Sequence, residues 1–165
     1  MEADSTLHKK IIALTVLFML GALMAPAGAA SSADSGNIHV DKIVVVPNGP
    51  NLNFTVYYDS DFFTKVFSFI FGSRVIQPSI LHIFDNFTNV TVLSIDSNNG
   101  VAQVVAKNQL TLSDNGWYIY GGNATFTTYV DVLEVHSSDG SVLTINNTNA
   151  LPVISNFMPM YNNST

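Results

Sequence analysis

The sequence predicts an all-β fold: an antiparallel β-sandwich of about eight strands, with an Ig-like outline and one short helix. Three observations predict it. Short segments alternate between apolar and polar residues, clusters of turn residues separate them, and a single stretch has helical spacing. A β-barrel is the alternative arrangement of the same strands. We expect this domain to occupy residues 38–157.

The chain opens with the three parts of a secretory signal peptide. A basic pair precedes an apolar run over 11–24, and small residues follow it. We therefore predict that residues 1–30 form a signal helix that is removed near Ala29 or Ala30. The alternative is a retained anchor helix, because the apolar stretch counted on through Ala30 reaches the about 20 residues that a membrane span needs. Residues 31–37 are polar and predict a flexible leader.

Two strands begin the domain. Residues 38–46 form an apolar run that ends at a Pro-Asn-Gly-Pro turn. Residues 51–58 then alternate with period two, which predicts a half-buried strand. The alternation places Asn53 and Thr55 on the solvent face of this strand.

Residues 59–72 break the alternation, because their apolar residues recur at helical spacing. The spacing predicts a short helix, with a bulged strand as the alternative. The residues that share one helical face are Phe62, Phe63, Val66, Phe67 and Ile70. Phe69 and Phe71 fall outside that stripe. Either these aromatics close one end of the core, or they form a docking surface for a partner or for lipid headgroups. The docking residues would be Phe62, Phe63, Phe67, Phe69 and Phe71.

The remaining strands are short and are separated by turns. We predict them over 75–84, 90–95, 101–107, 110–112, 117–120, 125–135, 142–145 and 152–157. Asn99-Gly100 and Asp139-Gly140 are typical of hairpin turns. Residues 146–150 are expected to form a loop, and residues 158–165 a disordered tail. Trp117 is the expected core anchor because of its size.

Charge and motifs exclude several classes of function. The net charge is −6 and the few basic residues are scattered, so no nucleic-acid surface is expected. The chain contains no cysteine, so disulfides are excluded. The phosphate-loop and nucleophile-elbow motifs do not occur, and we expect a non-catalytic protein without a cofactor. The alternative is a secreted hydrolase whose site forms only in the folded chain.

Three histidines outside the signal region are candidate metal ligands. His39, His82 and His136 have Asp41, Asp85 and Asp139, respectively, two or three residues away. Nothing in their spacing matches a known metal-binding motif, so we predict no metal site.

Seven Asn-x-Ser/Thr acceptors for N-linked glycans exceed the number that this composition gives by chance. They are Asn53, Asn86, Asn89, Asn123, Asn146, Asn162 and Asn163. The alternative is that an Asn- and Thr-rich β protein produces the motif by accident. A signal peptide favours glycosylation, because the acceptor machinery lies on the outer side of the membrane.

The combination of a signal peptide, many acceptors, low charge, no cysteine and a β-rich pattern resembles exported surface glycoproteins of archaea. The resemblance implies a cell-envelope or secreted module, with the five acceptors before the tail as its glycan carriers. We expect an adhesion or filament-assembly role at the cell surface or outside the cell. The partners would be envelope or filament proteins, or further copies joined by strand addition, and the membrane would be contacted only through a retained N-terminal segment. The alternative is a pilin-like subunit that keeps its N-terminal helix.

Overall fold

The structure is a computed structural model that describes residues 38–122 and 124–157. The predicted signal helix, leader and tail lie outside the described residues. The described elements, in chain order, are β1 (Ile38–Asn48), β2 (Asn51–Ser60), α1 (Phe62–Phe71), a 3₁₀ turn (Ser73–Val75), α2 (Gln77–His82), β3 (Val90–Asp96), β4 (Val101–Ala106), β5 (Thr111–Leu112), β6 (Trp117–Tyr120), β7 (Thr125–His136), β8 (Val142–Ala150) and β9 (Ile154–Phe157).

The strands form two sheets. The larger has six strands in the order β3-β4-β2-β1-β7-β8, and the smaller has three in the order β5-β6-β9. The expectation of a mostly β, sandwich-like fold is confirmed. One pair departs from the antiparallel expectation, because β1 and β7 run parallel, with Lys42 opposite Val132 and Val45 opposite Val135. Alternation along a strand predicts which face is buried but not the direction of its neighbour.

The core forms on one face of the six-stranded sheet. Alternate residues of β1 and β2 are fully buried there, and they pack with side chains from the α2 region and the smaller sheet. At the centre Phe54, Phe84, Phe87 and Phe126 form an aromatic cluster with ring centroids 4.9–6.2 Å apart. Tilted and edge-on aromatic pairs of this kind add stability beyond the area that they bury.

Three sequence predictions are wrong. The segment 75–84 is not a strand but a 3₁₀ turn followed by α2, and Pro78 stands in the first turn of that helix, where its missing N–H costs nothing. The segment 146–150 is not a loop, because β8 continues through it. Trp117 is not the core anchor, since it is 41% exposed.

Candidate functional site

Helix α1 presents an unusually apolar surface to solvent. Seven of its ten residues are exposed apolar side chains, which we call the α1 apolar face: Phe62, Phe63, Val66, Phe67, Phe69, Ile70 and Phe71. Ser68 is its one buried residue. The helix is therefore inverted relative to an ordinary surface helix, which buries its apolar stripe and exposes its polar side.

Helical geometry shows how wide this face is. At about 100° per residue, the seven side chains span an arc of roughly 200°. The remaining arc carries Thr64, Lys65 and Ser68, of which Thr64 is half-buried and Ser68 is buried. Burial on α1 is thus confined to its polar side, and the apolar side is open to solvent.

Local interactions hold α1 in this position. Asp61 caps its N-terminus by accepting a hydrogen bond from the backbone N–H of Thr64 at 2.7 Å, and this bond lowers the pKa of the Asp61 carboxyl. Gly72 ends the helix with φ of +80°, and its N–H donates to the carbonyl oxygen of Ser68 at 2.9 Å. Both ends of α1 are defined by the chain itself, so the exposed face belongs to a well-formed helix.

The charged groups of α1 lie at its N-terminal end. Lys65 Nζ donates to Asp59 Oδ1 at 2.7 Å, and this hydrogen bond lowers the pKa of Asp59. From Val66 to Phe71 the helix has no charged residue, and the next is the exposed Arg74. The last six residues of α1 therefore form an uncharged segment between two basic side chains.

The start of the described chain lies beside the start of α1. Ile38, the first residue of β1, pairs with Ser60, the last residue of β2. Phe62 follows two residues later. The covalent connection to residues 1–37 therefore enters the domain at the end of the sheet from which α1 leaves it.

The predicted helix over 59–72 is confirmed as α1. Its apolar side is open to solvent and does not pack into the core. The interpretation that the aromatics close one end of the core is wrong, because the stripe that includes Phe62, Phe63 and Phe67 is exposed. Phe69 and Phe71 are exposed as well. Their use as a docking surface stays a prediction.

A second cluster lies on the exposed face of the parallel strand pair. His39 Nε2 lies 2.9 Å from Asp131 Oδ2 and 3.6 Å from Asp41 Oδ1. The hydrogen bond and the negative charge of Asp131 raise the pKa of His39, and the charges of Asp41 and Asp59 raise it further. His39, Asp41 and Asp131 form the only group of three metal-ligand side chains in the described ranges whose ligand atoms all lie within 4.8 Å of one another.

A β-bulge explains how Asp41 reaches this cluster. The β1–β2 register shifts between Val40 and Lys42, so Asp41 has no partner on β2. Asp131 comes from β7, which the sequence did not place beside β1. The sequence places Asp41 near His39 but does not predict Asp131 beside them, because the parallel pairing that joins β1 and β7 has no local signal.

The other two histidines have separate partners. His82 Nδ1 lies within hydrogen-bonding distance of Asp85, three residues away in sequence. His136 lies 3.6 Å from Glu134, which in turn lies 3.7 Å from Lys42. The β1–β7 register aligns His136 about seven residues along β1 from His39, or roughly 23 Å at the usual rise of a strand. His39 and His136 therefore lie at different ends of the sheet.

The predicted glycan acceptors differ in their surroundings. Asn146 lies exposed on strand β8, and Asn89 is exposed with φ of +53°. Asn53 is half-buried on the interior strand β2. Asn86 is exposed, but its Nδ2 donates to the carbonyl oxygen and to the Oγ1 of Thr125 at 3.0 and 3.1 Å. Three acceptors lie outside the described residues: Asn123, Asn162 and Asn163.

An open groove of about 750 Å³ runs past Asn86, Gln109 and Tyr120. The side-chain amides of Asn86 and Gln109 already have partners. Gln109 Nε2 donates to the carbonyl oxygens of Thr88 and Lys107 at 2.8 and 2.9 Å, and Asn86 is bonded to the start of β7. These groups therefore tie loops together.

The helices in the part of the chain that the structure describes are all too short or too polar to cross a membrane. Comparison with known proteins finds no matching family model and no significant match among curated proteins or solved structures.

Proposed function

We propose that this protein is an exported, N-glycosylated, non-catalytic module that acts through contact surfaces, at the cell surface or outside the cell. The inverted orientation of α1 is the observation that carries the proposal. Large exposed apolar patches are rare on monomeric soluble proteins and usually serve contacts. A contact function gives the seven exposed side chains of the α1 apolar face a role, whereas a solitary soluble domain would bury them. We also propose that the sandwich has an Ig-like outline.

The edge of the larger sheet supports an assembly role. Strand β8 is nine residues long and lies last in the strand order, so its outer edge has no strand partner among the described residues. Val142 and Leu143 are exposed on it. A long edge of this kind can accept a strand from a second copy or from another envelope protein. A glycan on Asn146, near the middle of β8, would restrict which partners can approach.

A mass spectrum of the protein isolated from its native cells tests the export part of the proposal. We expect a mature N-terminus near Ser31 and glycan masses on acceptors such as Asn146. A start near Ile11 would instead support the pilin-like alternative, in which the N-terminal helix is kept. A full-length chain recovered from the cytosol without carbohydrate contradicts the proposal.

Envelope fractionation tests the contact part. The chain with Phe67→Ser and Phe69→Ser should be lost from the envelope fraction, or from the assembled form, more readily than the wild type. The matched control is Leu93→Ser, which removes an exposed apolar side chain from strand β3. Equal retention of the wild type, the α1 variant and the control in the envelope fraction would contradict a contact role for α1.

A further inference from the structure

We propose that the α1 apolar face inserts into a lipid bilayer, at the boundary between headgroups and acyl chains, and so acts as an interfacial anchor. This inference rests on the proposed contact function and names lipid as the material that α1 contacts. It places a membrane contact within the folded domain, independent of whether the N-terminal segment is retained.

The width of the apolar face favours lipid over a protein groove. A helix that packs against one protein surface needs an apolar stripe of about 100°. The face of α1 spans roughly twice that arc, at about 100° per residue. Its five phenylalanines expose roughly 700 Å², taking about 200 Å² for each whole side chain. Lipid chains can surround a convex surface of this width, whereas a groove covers only part of it.

The polar groups of α1 are placed for the same contact. Thr64 is half-buried and Ser68 is buried, so neither side chain belongs to the surface that would enter the apolar phase. Lys65 is paired with Asp59 at the N-terminal end. Arg74 is exposed just beyond the C-terminal end, where its guanidinium can reach lipid phosphates.

The charge of the chain identifies the driving force. Interfacial helices bind through buried apolar area and through attraction between basic residues and anionic lipids. The whole chain has a net charge of −6, and Lys65 is the only basic residue of α1. Binding should therefore depend on apolar insertion and occur on zwitterionic phosphatidylcholine, with little gain from anionic lipid.

The length of the connecting chain limits how far the domain can lie from a retained N-terminal segment. Residues 25–37 separate the apolar run 11–24 from β1, and they span at most about 45 Å when extended. In the alternative in which that segment is kept in a membrane, the start of β1 would lie within this distance of it.

Depth-dependent tryptophan fluorescence tests the inference. The test variant replaces the single native tryptophan by Trp117→Phe and introduces a new one by Phe69→Trp. Its N-terminus is the mature one that the native mass spectrum identifies. The matched control has Trp117→Phe with Val153→Trp, at a position that is 73% exposed and outside α1. Both are added to vesicles of ordinary or chain-brominated phosphatidylcholine. Urea unfolding verifies that each variant folds, and Phe71→Trp replaces Phe69→Trp if that variant does not.

We expect a blue shift of the Phe69→Trp emission on vesicle addition and quenching by brominated lipid about twofold or more stronger than in the control, because an interfacial helix lies about 5–10 Å deep. Equal quenching in both variants overturns lipid insertion. A blue shift without vesicles that grows with protein concentration identifies a second copy instead, and one that is independent of concentration shows that another part of the chain covers α1. Equal quenching or a second copy on α1 overturns the lipid contact but leaves the contact function standing. Cover of α1 by another part of the chain refutes the contact function as well, and so does a cytosolic, unglycosylated native protein.

Discussion

Ser68 and Phe69 are neighbours in the chain, yet Ser68 is 6% exposed and Phe69 is 88% exposed. Ser68 Oγ is buried without a hydrogen-bond partner in the described part of the protein. Burying a hydroxyl while exposing a phenyl ring opposes the hydrophobic effect, so folding of the domain alone does not account for the orientation of α1. The proposed apolar contact outside the domain would account for it.

Phenylalanines of α1 and of the core should respond differently to truncation. Phe69→Ala should change the free energy of unfolding by no more than about 0.5 kcal/mol, because the side chain is exposed. Phe54→Ala should lower it by about 3–5 kcal/mol, because its ring lies fully buried in the aromatic cluster. Urea denaturation followed by circular dichroism measures both. A loss for Phe69→Ala as large as that for Phe54→Ala would mean that α1 is part of the core.

The sequence predicted the helix α1 but not the direction in which it faces. Spacing shows which residues share a helical face, and the usual assumption is that the apolar face turns inward. Here the exposure of Phe62 and Phe69 shows the opposite. The sequence supported both a core plug and a docking surface, and the exposure of these side chains in the structure excludes the first.

Strand-like segments were predicted well where they alternate and poorly where they are short apolar runs. The pairing of β1 with β2 follows from the Pro-Asn-Gly-Pro turn and the period-two pattern. The segment 80–84 is a short apolar run in the sequence, and such a run does not distinguish a strand from a helix. In the structure its buried residues Ile80, Ile83 and Phe84 follow helical spacing. The contact of His39 with Asp131 was beyond prediction, since it joins strands 92 residues apart.

Two glycines with positive φ provide a test of the hairpin geometry. Gly100 has φ of +62°, and a Cβ there would lie 2.2 Å from the carbonyl oxygen of Tyr58. Gly100→Ala should therefore lower the free energy of unfolding by about 3 kcal/mol, from backbone strain and a clash with another strand. Gly140→Ala is the matched control, because its φ is +84° but nothing lies within 4 Å. It should lose only about 1–2 kcal/mol, the strain of the left-handed conformation. Thermal or urea unfolding measures the free energy of unfolding of both variants. Equal decreases in the two variants would show that the clash at Gly100 does not occur.

The pKa of His39 should lie above its ordinary value of 6.5, chiefly because of the hydrogen bond and charge of Asp131. A raised pKa favours the folded state when the imidazole is protonated. The stabilisation is therefore fully present below pH 6.5, the unfolded value, and is lost as the pH rises through the folded pKa. Asp131→Asn should move the pKa back toward 6.5, whereas Asp41→Asn should lower it less. NMR titration of the imidazole protons measures the three values, and an unchanged pKa in Asp131→Asn would show that the pair does not form.

The glycan acceptors Asn86 and Asn146 should differ in how much the fold depends on their side chains. In protein made without glycosylation, Asn86→Gln should lower the free energy of unfolding by about 1 kcal/mol, because Nδ2 loses its bonds to Thr125. Asn146→Gln should change it by less than about 0.5 kcal/mol, since the side chain is exposed on the outer strand β8.

In native protein, Asn146→Gln should remove the mass of one glycan. A side chain that ties loops together offers its amide nitrogen less freely than one on an open edge, so occupancy at Asn146 should exceed that at Asn86. Site-resolved mass spectrometry compares the two occupancies, and higher occupancy at Asn86 would contradict this ranking.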